Sequence, residues 1–309
     1  MPSKNGADGP APAENEPQPE SRPPSSPPTQ LPKRTLFSVP TPIKQIFDRF
    51  PLVTYNADEA PKGHTGQSIR NRLFVFIDPD DARKGAPSFN PQCLKWQSYL
   101  KFVGIDFDLV PSNNHASPTG ALPFLYPALP ADSLDPIPSN KLQKWAIEEV
   151  HCEEEQQLNV RFDVYMSLLD QRIRTAWLYQ FYLNELNFDK VARKRYIDPS
   201  TSNAIVQATL AVQLQQAARD ELLKHSNFIN VNDLEADADD AFQALSTLLG
   251  TAEFFFDRDR PGLFDASVFA YTHLLLDGSM KWKYNGLARL LSKHENLVQH
   301  QQRLFEKYF

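Results

Sequence analysis

Leu73-Phe-Val-Phe-Ile77, ended by Asp78-Pro79-Asp80, precedes Asn90-Pro-Gln-Cys-Leu-Lys-Trp-Gln-Ser-Tyr-Leu-Lys-Phe-Val-Gly104, and these two stretches decide the fold. The first is a short, continuous apolar run between breakers, the pattern of a buried strand. The second carries its own helix boundaries: Asn90 can cap, Pro91 suits the first turn and Gly104 can end it. Leu94, Tyr99, Phe102 and Val103 give that helix a largely buried face.

Outward from this unit, Ile105-Asp-Phe-Asp-Leu-Val110 alternates apolar and acidic residues as a half-exposed strand does, and Leu122-Pro-Phe-Leu-Tyr126 follows a polar loop. A further helix is expected from Ser139, which can cap it, through Leu142, Trp145, Ile147 and Val150. After Glu153 the pattern is helical throughout: Val160 to Asn184, Ser202 to His225, Asp237 to Leu249, and two helices near the end. A strand-helix-strand-strand block followed by a helical block predicts an α/β domain packed against an all-α domain.

On the N-terminal side, Pro51-Leu-Val-Thr-Tyr55 reads as a strand. Before it, Leu36, Phe37, Val39, Ile43, Ile46, Phe47 and Phe50 recur at nearly helical spacing. These seven apolar residues have two destinations, the chain's own core or a membrane-embedded partner, and they are the candidate partner interface. Residues 1–32 hold ten of the 26 prolines with no aromatic or β-branched aliphatic side chain, so they are expected to be a disordered tail. The expected organisation is a tail at 1–32, an arm at 33–66, an α/β domain at 67–150 and an all-α domain at 151–309.

The composition, 41% hydrophobic and 23% charged over 309 residues, is that of a globular protein. A net charge of -6 gives no global attraction to nucleic acid, and no nucleic-acid partner is expected. Two cysteines, Cys93 and Cys152, are too few for a disulfide framework. No apolar run approaches the roughly 20 residues of a membrane-spanning helix. The first 32 residues carry Asp8, Glu14, Glu16 and Glu20 against Lys4 and Arg22, unlike a basic matrix-targeting presequence.

Three places carry potential chemistry. A reactive group at the start of the helix after the first strand would be stabilised by free backbone N–H groups and the helix dipole. Here that place is Ser88-Phe-Asn-Pro-Gln-Cys93, and the nucleophilic position of a Cys-Pro-x-Cys motif is Asn90, leaving only Cys93. Thr119-Gly-Ala-Leu-Pro-Phe-Leu125 resembles the loop of glutathione-binding folds in which a cis-proline opens the third strand, so Leu122-Pro123 is expected to be that bond, against a plain proline turn. In those folds a Glu-Ser or Gln-Ser pair holds the γ-glutamyl end of glutathione. The matching place is Ile137-Pro-Ser139, where Ser139 remains and Pro138 has neither acid nor N–H.

Pro261-Gly-Leu-Phe-Asp-Ala-Ser-Val-Phe-Ala-Tyr271 is similar to the capping motif of the central C-terminal helix of these folds, with Asp265 as its acid. The closing stretch from Tyr284 through His294-Glu-Asn-Leu-Val298 to Tyr308-Phe309 resembles the metaxins, and the likeness extends over roughly residues 70–309. The piece from Phe37 to Leu52 looks like that of the fungal peripheral members of that family that receive the β-signal. The resemblance implies an N-terminal thioredoxin-like domain and an all-helical glutathione-transferase-type C-terminal domain. It also implies a non-catalytic peripheral subunit of the mitochondrial outer-membrane sorting and assembly machinery, on the cytosolic face and without a cofactor. Implied partners are an outer-membrane β-barrel assembly subunit, a second metaxin-like subunit and β-barrel precursors, with the membrane surface met through the complex. Alternatives are a glutathione-dependent enzyme using Ser88 at the helix start, and a soluble scaffold in a cytosolic complex.

Other candidates have plainer readings. His151 and Glu155 have metal-ligand spacing, but two ligands are too few and Glu148 to Glu155 reads as a solvated acidic face, so no metal is expected. His273 in an apolar helix reads as a buried, hydrogen-bonded histidine. Arg193-Lys-Arg195, with Arg172 and Arg174, is either a solvated surface or a face for anionic headgroups. Asp237-Ala-Asp-Asp240 reads as an acidic helix start.

Overall fold

The computed structural model describes residues 70–128, 135–151, 161–224 and 226–309. The Leu36–Phe50 segment and the strand expected at Pro51–Tyr55 lie outside them.

β1 (Asn71–Val75) begins two residues before the apolar run and ends before Phe76 and Ile77. The short helix α1 (Pro79–Arg83) fills the following loop, and α2 (Pro91–Phe102) starts where its cap requires: Asn90 Oδ1 accepts from Cys93 N at 3.1 Å with Pro91 at the first turn. Gly104, at φ +81°, then turns the chain out of α2 in a conformation that costs glycine little. β2 (Phe107–Pro111) returns parallel to β1, Leu73 opposite Leu109. β3 (Phe124–Tyr126) pairs antiparallel with β1, and β4 (Ile137–Pro138) with β3, giving the order β2-β1-β3-β4. This mixed sheet with a helix crossover is the thioredoxin-like arrangement.

Ser139 does not cap the next helix. It begins a 3₁₀ turn, Ser139–Lys141, and α3 (Leu142–Val150) follows with Lys141 at its cap position and no side-chain cap bond. α3 ends at His151, whose φ of +52° takes it out of the helix, so His151 does not continue an acidic helical face. Cys152 and Glu155 lie outside the described residues.

The helical block begins with α4 (162–183), in which α-helical turns alternate with π turns at Leu169–Ile173 and Tyr179–Leu183. α5 (185–196) contains a third, Phe188–Ala192. α6 (Ala204–Leu222) is capped by Asn203, whose Oδ1 accepts from Ile205 N and Val206 N. α7 is Val231–Leu249, six residues longer at its start than expected. Asn230 caps it, which puts Asp237, Asp239 and Asp240 inside the helix. These carboxylates pair laterally, Asp237 and Asp240 with Arg172 at 3.7 Å and Asp239 with Lys293 at 2.8 Å.

α8 (Leu263–Leu276) runs through the core of the described residues. All its residues but Leu276 are buried, and it packs on α2, with Phe102 and Phe269 6.4 Å apart edge to face. Asp265 is fully buried at its start, where Oδ2 accepts from Gly262 N at 3.0 Å and Oδ1 from Phe255 N at 3.1 Å. The sequence reading missed its third partner, His300 Nε2, at 2.8 Å. His273 is buried and bonded to the Gln301 amide at 3.0 Å. α9 (Gly286–Leu291) and α10 (Glu295–Tyr308) complete the block. The backbone carbonyl of Tyr308 accepts from Lys101 Nζ on α2 at 2.8 Å, joining the two blocks.

Candidate functional site

The start of α2 is where this architecture presents backbone donors to a ligand. Asn90 is committed on both sides: its Oδ1 caps α2, and its Nδ2 donates to the Tyr196 hydroxyl at 2.8 Å. Tyr196, at the end of α5, stands edge-on to Phe76 and Phe89, with centroids 4.9 and 5.4 Å away. Burial holds the Tyr196 phenol well above its usual range, and burial pushes neighbouring Tyr182 up to about 12. Both remain neutral phenols, and an aromatic plug occupies the space over the helix start.

Cys93 lies one turn inside α2 and is fully buried. Burial outweighs its hydrogen bonds to Phe76 and Ser88 and pushes the thiol up to about 12, the opposite of a reactive cysteine at a helix start. Ser88, the hydroxyl that a glutathione-activating enzyme would need, is also fully buried. Its Oγ donates to Phe76 O at 2.6 Å and accepts from Asn90 N at 3.2 Å, tying the loop to the end of β1. Both of these bonds are made within the chain.

The Leu122–Pro123 bond is cis and buried. The Leu122 N–H, which the resemblance would offer to a bound tripeptide, instead donates to Asn114 Oδ1 at 3.0 Å. Asn114 belongs to the 3₁₀ turn Asn114–Ala116, and Ser117 Oγ donating to Ala121 O at 2.7 Å closes the same loop. At the third place, Pro138 offers no N–H and Ser139 sits in its 3₁₀ turn. The helix start, the cis-proline strand and the Ser139 corner are thus each satisfied internally or chemically altered. Among the described residues no cluster of His, Cys, Asp and Glu could hold a metal.

The basic residues do not form one patch. Arg172 and Arg174 are spent on Asp237, Asp240 and Glu221, and the Arg174–Glu221 contact is 2.8 Å. Arg195 reaches back to the sheet block, with its guanidinium 4.9 Å over Phe89 and Nη2 donating to Ser279 O at 3.0 Å. None of the described helices is long and apolar enough to cross a membrane.

Comparison with known families agrees with this frame. The model of the glutathione S-transferase N-terminal domain matches residues 91–187, and that of the C-terminal domain residues 238–304. A third, described as SAM35, a subunit of the SAM complex, matches residues 37–92. Similar curated proteins are all metaxins: Metaxin-3 of Xenopus laevis is 28% identical over 60% of this chain and 62% of its own. The chain is similar to the metaxins and has the glutathione-transferase fold.

Metaxin-1 of Macaca fascicularis is 27% identical over 63% of each chain, and human Metaxin-2 is 26% identical over 72% of this chain and 83% of its own. The metaxin-like chain therefore spans a little under two thirds of the length of its Metaxin-3 and Metaxin-1 relatives. Among solved structures, a glutathione transferase from Phanerochaete chrysosporium covers 78% of this chain and 98% of its own, with 12% identity and a TM-score of 0.52. One from Ceriporiopsis subvermispora, solved with glutathione, covers 77% and 98% at 11% identity with the same score. The metaxin-like chain shares the fold of these enzymes.

Proposed function

We propose that this metaxin-like chain is a non-catalytic peripheral subunit of the mitochondrial outer-membrane sorting and assembly machinery, where it binds β-barrel precursors and promotes their insertion. The observation that carries the assembly role is the match of residues 37–92 to the SAM35 subunit family. The absence of turnover rests on the glutathione place: Asn90 stands at the nucleophile position under Tyr196, Cys93 is a buried neutral thiol, and the Leu122 N–H is taken by Asn114. On this reading the chain sits on the cytosolic face, beside a β-barrel subunit and a second metaxin-like subunit, with Leu36, Phe37, Val39, Ile43, Ile46, Phe47 and Phe50 as its docking residues.

The test is isolation of the tagged protein from its own cells in mild detergent, with its companions identified and the complex sized on a native gel. A stoichiometric outer-membrane β-barrel protein in that complex is the expected result. A soluble monomer or dimer retained by glutathione resin sinks the reading. Removing residues 31–50 should release the partner and leave circular dichroism and melting near those of the intact chain. Loss of folding instead would assign those residues to the core.

A further inference from the structure

Beside Arg195 lies an open cleft of about 390 Å³, bounded by Asp78 and Asp81 before and within α1, by Lys190, Lys194 and Arg195 on α5, and by Lys281 after the turn Gly278–Met280. Arg195 is structural: its side chain is 17% exposed, held by Phe89 and Ser279 O and 3.8 Å from Asp78. The three lysines are different. Each is exposed, and none of their ammonium groups has a hydrogen-bond or ion-pair partner among the described residues. Lys281 holds φ at +55°, a left-handed conformation that glycine or asparagine would adopt at lower cost, so a cationic side chain occupies a position that backbone preference would give to another residue.

We propose that this cleft binds a phosphate group, carried by a small organic phosphate or by a phospholipid headgroup. Four cations around it outnumber two carboxylates, although the whole chain is net negative at -6. Ammonium groups on flexible stems act as point charges that can converge on phosphate oxygens. The volume is at the lower end of small-molecule sites and suits one headgroup-sized ligand. An extended acidic peptide fits less well, because the walls are helices and turns and offer no strand edge for its backbone. The cleft is lined by none of Ser88, Asn90, Cys93 and Tyr196, and the proposal stands independently of the assembly reading.

The test uses the full chain and two probes. Calorimetric titration with glycerol 3-phosphate should give one site, weakened by added salt. Flotation compares vesicles of phosphatidylcholine alone with vesicles that also contain phosphatidic acid. Replacing Lys190, Lys194 and Lys281 one at a time with Gln should lower affinity about fivefold each. The triple variant should abolish binding with unchanged circular dichroism, and K281Q alone provides the reading if the triple does not fold. Lysine-dependent binding to phosphatidic-acid vesicles identifies a headgroup as the source, and lysine-dependent binding to glycerol 3-phosphate alone identifies a free phosphate. The proposal is overturned if neither probe binds, if binding ignores the lysine substitutions, or if an oligoglutamate peptide binds and both phosphate probes fail.

Discussion

Helices α6 and α8 are both poor in charge, yet they have opposite fates. α8 carries Asp265 as its one carboxylate and buries every residue but Leu276. The first 15 residues of α6 carry no charged side chain, its charges being confined to Arg219, Asp220 and Glu221 at its end, yet of its 19 residues only Ala218 and Leu222 are buried, and Ile205 and Val212 are 79% and 68% exposed. The difference lies in surroundings. α8 is wrapped by α2, α9 and α10, whereas α6 lies mainly against the end of α4 through the side that includes Leu210, Ala211 and Leu214. α6 also falls in the interval between the two transferase-domain matches, so its apolarity is not explained by the core those matches describe. A charge-poor stretch of helix is evidence of burial only when a neighbour exists for each face.

This contrast can be broken or sharpened in four ways. The largest effect is expected at the start of α8: Asp265→Ala strips the acceptor from Phe255 N, Gly262 N and His300, and should cost about 3–5 kcal/mol in urea unfolding. A loss below about 1 kcal/mol would mean that α8 is not held from its cap.

The second is a pH dependence centred on the same helix. Burial lowers His273 from 6.5 to about 4, partly countered by Asp277, so the fold holds neutral imidazole that accepts from Gln301. The unfolded chain binds the proton first as pH falls, so this contribution to stability is complete above about pH 6.5 and is lost as the pH drops towards 4. At full extent it amounts to about 3 kcal/mol, and burial of His294 acts in the same direction. Urea midpoints measured from pH 7.5 to 4.5 should decline; a flat profile contradicts a buried neutral His273.

The two smaller effects concern α6. Asn203→Ala removes its cap and should cost about 1 kcal/mol, seen first as faster amide exchange at Ile205 and Val206. Val212→Gln on the exposed face should change the stability of the isolated chain by no more than about 0.5 kcal/mol. A larger loss from Val212→Gln would show that this face is covered in solution.

The sheet block was readable because its signals are local. Asn90, Pro91 and Gly104 lie within 15 residues and fix both ends of α2, and Asp265 is three residues from the Gly262 N–H that it caps. What escaped was non-local or outcompeted. Tyr196 meets Asn90 across 106 residues, and His300 meets Asp265 across 35, distances over which periodicity carries no information. The start of α7 was misplaced because a dense run of aspartates looked like a first turn, while the effective cap, Asn230, stood earlier in an unremarkable sequence. Ser139 failed as a cap because the chain enters α3 through a 3₁₀ turn, and Arg172 left the supposed basic patch because Asp237 and Asp240 lie alongside it.

The three π turns at 169–173, 179–183 and 188–192 give this part of the molecule a phase as well as a length. Each takes up about one residue more than an α-helical turn, and one residue corresponds to roughly 100° of helical rotation. The extended Asn184 resets the phase between α4 and α5, so the placing of Tyr196 over Asn90 is set by how many residues precede it within α5. A one-residue deletion at 188–192 would turn the plug away even with every side chain of the plug retained. In this stretch the packing depends on a count, and tolerance to exchange of residues is not expected to extend to their loss or gain.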